Sequence, residues 1–256
     1  MVSSPAGMRR RREEVSAKLE LSVIIPTYNE EAAIRHTVEA VAAYLAQSRI
    51  PHEIIVADDG STDRTIEVVR ALARILPGIE VLPCPRAGKG AAVRRGVLEA
   101  QGVQVLFLDA DHSTRIEEWE KLVPWLQDGY DVVIGSRKMA GAQVHVHQPP
   151  LREAMGKVFT WLTNRLLGVR VWDVTCGFKG YRLSAARAIF QRLRIAGWGF
   201  DAEALFVARR LGLRIKEVPV IWADDASTKV HLVKDAVRSF MELVAIRLGA
   251  LRGWYS

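Results

Sequence analysis

Two carboxylates stand at the end of an apolar run. Val105-Leu106-Phe107-Leu108 stops abruptly at Asp109-Ala110-Asp111. Hard divalent cations such as Mg²⁺ and Mn²⁺ take carboxylate oxygens together with the oxygens of a bound phosphate. In a turning chain, carboxylates spaced i, i+2 can reach such an ion, one directly and one through water. The same tripeptide also fits a loop with two solvated aspartates. A second acidic cluster, Asp58-Asp59-Gly60-Ser61-Thr62-Asp63, closes another apolar run, and Tyr28 and Glu30 follow a third. Separated cations come from Lys89, in Gly88-Lys89-Gly90, and from Arg137, in Gly135-Ser136-Arg137. A metal on carboxylates, faced by basic side chains, suits a diphosphate.

These residues converge only if the elements between them bring strand ends to one edge. Short β-branched or apolar runs predict strands at 21–26, 52–57, 79–82, 103–108 and 131–134. Helices are predicted between them. One follows Asn29, a good N-cap with Glu30 and Glu31 in its first turn, and runs to about residue 47. Others span about 63–76, the stretch from Gly88-Lys89-Gly90 to about 100, and a helix to 126 that Thr114 and Glu117 open at capping-box spacing. This alternation predicts an α/β fold: a mostly parallel sheet flanked by helices, with polar strand-end loops gathered on one edge.

The second half is less regular. Residues 140–150 lack periodicity and read as a mobile loop, where His145 and His147 read as exposed histidines rather than a metal pair. Residues 151–167 and 232–248 read as amphipathic helices carrying aromatic and basic side chains, suited to an interface or to the core. Between them lie a polar turn running into an aromatic strand (172–182), a helix at 201–211 with Asp201 at its start, and a strand at 214–222. Cys176 reads as a small buried residue, with no partner to activate it.

Composition narrows the class. A formal net charge of +7 favours anionic partners, and part of the excess lies in Arg9-Arg10-Arg11-Arg12, within a tail (1–18) that reads as disordered. Two cysteines give no disulfide framework and suit a reducing compartment. No signal peptide and no span of roughly 20 apolar residues is visible. Gly-x-x-x-x-Gly-Lys-Ser/Thr is absent, as is Gly-x-Gly-x-x-Gly after the first strand, which argues against a P-loop NTPase and a Rossmann dehydrogenase. Nucleic-acid binding has only net charge in its favour, without aromatic-basic interleaving.

Ser22-Val23-Ile24-Ile25-Pro26-Thr27-Tyr28-Asn29-Glu30, Asp58 to Asp63, Asp109-Ala110-Asp111 and Gly135-Ser136-Arg137 together resemble the inverting family 2 glycosyltransferases of the GT-A fold. Asp173-Val174-Thr175-Cys176-Gly177-Phe178-Lys179, Phe200-Asp201-Ala202-Glu203 and Ser227-Thr228-Lys229 resemble the dolichyl- or polyprenyl-phosphate hexose synthases, with Gly88-Lys89-Gly90 leaning toward the glucose branch. The resemblance runs from about 21 to 248. It implies a GT-A unit over 19–231, with 232–256 as a C-terminal amphipathic helix and tail of the same domain.

The resemblance also implies roles. Pro26, Tyr28 and Glu30 would line the nucleoside pocket, Val56 and Asp58 would hold base and ribose, and Lys89 would face the nucleotide. Asp109, Ala110 and Asp111 would frame the sugar diphosphate, with Mg²⁺ or Mn²⁺ on the two carboxylates. Arg137 and Arg152 would bind the acceptor phosphate, and Lys229 would close over the diphosphate. Asp109, Asp111, Arg137 and Lys229 are thus the expected catalytic set. The expected partners are a nucleotide-diphosphate sugar (UDP-glucose or GDP-mannose), a polyprenyl or dolichyl phosphate, and the cytoplasmic surface of a membrane. The Gln-x-x-Arg-Trp motif of processive relatives is absent. A sugar or protein hydroxyl acceptor, and a non-catalytic nucleotide-sugar or membrane-binding module, stand as alternatives. A hydroxyl acceptor would need a carboxylate base at Asp201 or Glu203.

Overall fold

The computed structural model describes residues 19–224 and 232–255. The predicted tail and the Ser227-Thr228-Lys229 loop, with the expected role of Lys229, lie outside the described residues. β1 (Leu21–Thr27) is buried at every position and pairs in parallel with β2 (His52–Asp58) and β4 (Gln104–Leu108). β3 (Ile79–Pro83) adds in parallel to β2. The crossovers are α1 (Ile34–Gln47), α2 (Thr65–Ala73) and α3 (Lys89–Glu99). Parallel strands require such crossovers, which bring their carboxyl ends to one edge. β5 (Val132–Ser136) and β8 (Ile215–Pro219) also pair in parallel, but β7 (Phe178–Arg182) inserts antiparallel between β4 and β5. The order is β3-β2-β1-β4-β7-β5-β8.

Alternate residues of each central strand feed opposite cores. Ile24, Val105 and Phe107 face one, with Phe200 and Leu205; Val23, Ile25 and Leu106 face the other, with Trp119 and Leu122. Each such fully buried side chain contributes roughly 1.5–3 kcal/mol, so the cores, not the polar loops, fix where the strands end. The remaining helices are α4 (Trp119–Gln127), α5 (Pro150–Leu167), α6 (Leu183–Phe190), α7 (Phe200–Arg210) and α8 (Leu232–Leu251). α8 packs on α5 and α7.

Four expectations are corrected. Residues 140–150 are not only loop: β6 (Gln143–Val146) pairs in parallel with β9 (Ile221–Ala223). The single strand expected at 214–222 is split at Val220, whose N–H donates to Ser136 O in the large sheet while its carbonyl accepts from Gln143 N in the small one. Asn29 caps no helix; it takes a φ of 54°, its Oδ1 accepts from Thr62 N at 2.7 Å, and α1 begins at Ile34. The capping box at Thr114 does not form; Ile116–Glu118 makes a single 3-10 turn before α4, with no side-chain cap.

Candidate active site

Asp109 leaves the end of β4, and elements on both sides hold the backbone that follows. Asp109 N donates to Gly177 O at 3.1 Å, and Thr37 Oγ1 on α1 donates to Ala110 O at 2.7 Å. His112 takes a left-handed φ of 58°, which turns the chain so that Ser113 N donates to Asp111 Oδ1 at 3.0 Å. Gly177 makes room for the Asp109 carboxylate: a Cβ there would lie 1.8 Å from Oδ2.

Lys89, at the start of α3, forms an ion pair with Asp109 Oδ1 at 2.7 Å. Its flanking glycines permit the approach. Gly88 has a φ of 126°, and its Cβ would meet Ala196 O at 2.4 Å; at Gly90 a Cβ would strike Phe200. Asp59 fixes the loop by accepting from Ala87 N and Gly88 N at 2.8 and 2.9 Å. Burial opposes the Lys89 ammonium, but Asp109 and then Asp201 hold its pKa above the usual value. Burial, and then Asp109, raise the pKa of Asp111. Among the described residues no three His, Cys, Asp or Glu side chains gather as a metal site. One hydroxyl at this point, Ser113 Oγ, is buried without a hydrogen bond, while Asp109 Oδ1 is held by the Lys89 ammonium.

Arg137, just beyond β5, forks onto Asp173. Its Nε donates to Oδ2 at 2.7 Å, its Nη2 donates to Oδ1 at 2.8 Å, and its backbone N–H donates to Oδ2 at 3.1 Å. Asp173 is 0% exposed. Burial works against its charge, but Arg137 pulls its pKa well below the usual carboxylate range. Lys138 sits beside this pair, with Nζ 3.5 Å from Asp173 Oδ1. Lys138 also donates to Thr160 Oγ1 at 3.0 Å and Gly156 O at 3.3 Å, both on α5. Arg152, on the same helix, has Nη1 buried without a hydrogen bond and 3.8 Å from Asp224 Oδ1.

Two further carboxylates are engaged. Asp201 Oδ1 accepts from the fully buried Lys179 at 2.6 Å, and Lys179 also donates to Cys176 O. Burial raises the Asp201 pKa, with Lys179 opposing it. Glu203 accepts from Arg194 N, from Ile195 N and from the hydroxyl of Tyr255 at 2.6 Å, so its oxygens serve the fold. Cys176 is a buried thiol, as expected, and burial pushes its pKa up to about 12.

Lys89, Asp109, Asp111, Arg137 and Arg152 therefore line one cleft of about 860 Å³. Ala110 is buried beneath it. The cleft's apolar walls include Leu151, Met155, Phe159 and Leu162 from α5 and Phe240 from α8. Pro26, Tyr28, Glu30, Val56 and Asp58 lie apart from it, at the ends of β1 and β2. Asp58 is 1% exposed, and its oxygens accept from Thr27 Oγ1, Ser61 N and Ser61 Oγ. Val56 is equally buried in the core. Tyr28 and Glu30 there are half-buried, and Arg86, from the loop after β3, sets its guanidinium 3.0 Å over the Tyr28 ring, whereas the Val56 and Asp58 side chains are buried. Sequence reasoning gave no role to Lys138, Asp173 or Lys179. Lys138 adjoins Arg137 in sequence, and Asp173 and Lys179 stand in the quoted Asp173 to Lys179 run.

The family model for glycosyl transferase family 2 matches residues 22–190. Dolichyl-phosphate beta-glucosyltransferase ALG5C of Trichomonas vaginalis is 34% identical over 237 residues, covering 88% of this chain and 70% of its own. Dolichyl-phosphate beta-glucosyltransferase of Drosophila melanogaster is 34% identical over 239 residues, covering 85% of this chain and 71% of its own. Among solved structures, glucosyl-3-phosphoglycerate synthase of Mycobacterium tuberculosis, in complex with Mn²⁺ and UDP-glucose, superposes with a TM-score of 0.66 at 21% identity, over 97% of this chain and 85% of its own. That likeness speaks to the fold, which is the GT-A fold expected from the sequence.

Proposed function

The chain belongs to glycosyl transferase family 2, and from that premise we propose that it moves a hexose from a nucleotide-diphosphate sugar to a polyprenyl or dolichyl phosphate at the cytoplasmic surface of a membrane. The names of its relatives favour glucose. The observation that carries the acceptor is the composition of the cleft that holds Asp109 and Arg137. Acidic side chains, cations that include Arg137, Lys138 and Arg152, and apolar walls from α5 and α8 line the same space. A sugar hydroxyl needs neither the cations nor the apolar walls, whereas a lipid phosphate matches both.

The acid end fits a divalent cation. Asp109 and Asp111 supply hard oxygens, and burial, followed by the Asp109 carboxylate beside it, raises the pKa of Asp111. Asp109 and Asp111 would hold the ion, which when bound offsets charge on the nucleoside diphosphate leaving group. Tyr28, Glu30 and Pro26 would line the nucleoside pocket, an assignment that rests on the resemblance, and Lys89 would face the diphosphate. Lys229 is assigned to the diphosphate on resemblance alone.

The acceptor end needs no general base. A phosphomonoester with a second pKa near roughly 6 is already ionised at neutral pH. Arg137 and Arg152 would hold that oxygen in line with the anomeric carbon, which is the main requirement for an anionic nucleophile. Asp201 and Glu203, the candidate bases for a hydroxyl acceptor, are engaged by Lys179 and by Tyr255. Among the described residues no helix is long and apolar enough to cross a membrane. Exposed apolar residues on α5 and α8, such as Trp161 at 64% and Met241 at 60%, would instead rest on its surface.

The test is transfer from radiolabelled UDP-glucose and GDP-mannose to a polyprenyl phosphate, with Mn²⁺ or EDTA, for wild type and Asp111→Ala. Metal-dependent label in the lipid phase, lost in the variant, is expected. Donor binding without labelled lipid would move the acceptor to a hydroxyl.

A further inference from the structure

We infer that Lys138 sets acceptor specificity: its ammonium supplies the surplus positive charge that receives the acceptor's phosphate, beside an arginine that a shared buried carboxylate already neutralises. The inference rests on the proposed phosphorylated acceptor. Asp173 is the one carboxylate within 4 Å of either Arg137 or Lys138 among the described residues. It serves the two cations unequally. Arg137 holds it through two short, forked hydrogen bonds at 2.7 and 2.8 Å, while Lys138 stands off at 3.5 Å. The forked pair is the stronger one. The other partners of Lys138, Thr160 Oγ1 and Gly156 O, are neutral acceptors. They aim the ammonium without cancelling its charge.

One carboxylate against two cations leaves a surplus positive charge at this point of the cleft wall. Arg152 lines the same cleft with its buried Nη1 unbonded. Asp224 Oδ1 stands 3.8 Å from Arg152 and Asp173 Oδ1 3.5 Å from Lys138, so each cation has only a loosely held counterion. Desolvated cations held so loosely are costly, and an anion completes such a wall. A phosphomonoester dianion suits two under-compensated cations better than a neutral hydroxyl does.

The competing account is that Lys138 only ties α5 to the end of β5. Lys138→Gln separates the two, because an amide can still donate to Thr160 Oγ1 or Gly156 O but carries no charge. The full chain is assayed with a short-chain prenyl phosphate as acceptor and with the unphosphorylated prenol as competitor. We expect Lys138→Gln to raise KM for the prenyl phosphate at least tenfold, while the inhibition constant of the prenol and the affinity for UDP with Mn²⁺ change less than twofold. Lys138→Arg should restore most of the loss. An unchanged KM overturns the inference, as does equal weakening of prenol and prenyl phosphate, which would mark a prop for α5. If wild type binds prenyl phosphate no better than prenol, the phosphorylated-acceptor reading fails first, and this inference with it.

Discussion

Lys89 Nζ lies 2.7 Å from Asp109 Oδ1, so in the protein alone an ammonium stands on a carboxylate that the proposed cation would need. The two cations compete for one charge. Lys89→Met should therefore tighten Mn²⁺ binding without nucleotide by roughly tenfold, about 1.4 kcal/mol, while slowing transfer. Asp111→Ala should abolish Mn²⁺ binding. Titration followed by electron paramagnetic resonance reads both, and weaker Mn²⁺ binding in Lys89→Met would end the competition argument.

Gly177 tests the geometry of the acidic end. A methyl group there would overlap the Asp109 carboxylate. Gly177→Ala should lower transfer on the order of 10²-fold, the scale of a misplacement of about 1 Å, and the circular dichroism spectrum should stay native. Full activity in Gly177→Ala would mean that the Asp109 side chain works from another position.

The Arg137–Asp173 pair makes a pH prediction. Arg137 holds the folded-state pKa of Asp173 below its unfolded value of about 3.9. The unfolded chain then binds more protons, so the pair's stabilisation is present above pH ~4 and is lost as pH falls below it. Asp173→Asn should cost about 3–5 kcal/mol at neutral pH, by stranding the buried guanidinium, and should flatten the acid dependence. Urea unfolding at pH 7 and pH 3.5 measures both. Parallel pH curves for variant and wild type would refute the assignment.

Glu203 separates a base from a brace. It accepts two backbone N–H groups and the Tyr255 hydroxyl in a buried setting. Glu203→Gln should lose about 1–3 kcal/mol of stability yet transfer at near wild-type rates where it is folded. Loss of transfer in a folded Glu203→Gln protein would revive the hydroxyl acceptor.

The proposed membrane docking would depend on side chains outside the chemistry. Replacing Trp161, Val237 and Met241, all well exposed on α5 and α8, by serine should reduce sedimentation with phospholipid vesicles by roughly tenfold or more. Turnover of a water-soluble short-chain prenyl phosphate should hold. Unchanged vesicle binding would place the docking surface elsewhere.

The strand ends were legible because buried runs such as Val105 to Leu108 stop abruptly at carboxylates, and parallel topology then gathers them. The pairings across the cleft were not. Arg137 finds Asp173 and Lys179 finds Asp201 only after β7 is placed antiparallel, and no local period announces that reversal. β6 escaped because Gln143–Val146 is largely exposed and its polar–apolar alternation lasts only four residues. Asn29 misled because its amide can serve equally as a helix cap or as a tie between two turns. The capping-box pattern at Thr114 and Glu117 was overridden by packing, since Thr114 and Ile116 are buried.

The antiparallel β7 also dictates an order of assembly. β3, β2, β1 and β4 are complete in the chain before Phe178 is made, but β5 and β8 attach to them only through β7. The residue that leads into β7, Gly177, is the one that accepts the Asp109 N–H and borders its carboxylate. During synthesis Asp109 thus lacks its backbone partner until the last strand to enter the centre of the sheet arrives. A nascent chain that has folded its first four strands holds Asp109 without the Gly177 carbonyl that receives its N–H, and gains that contact in the same event that joins the two halves.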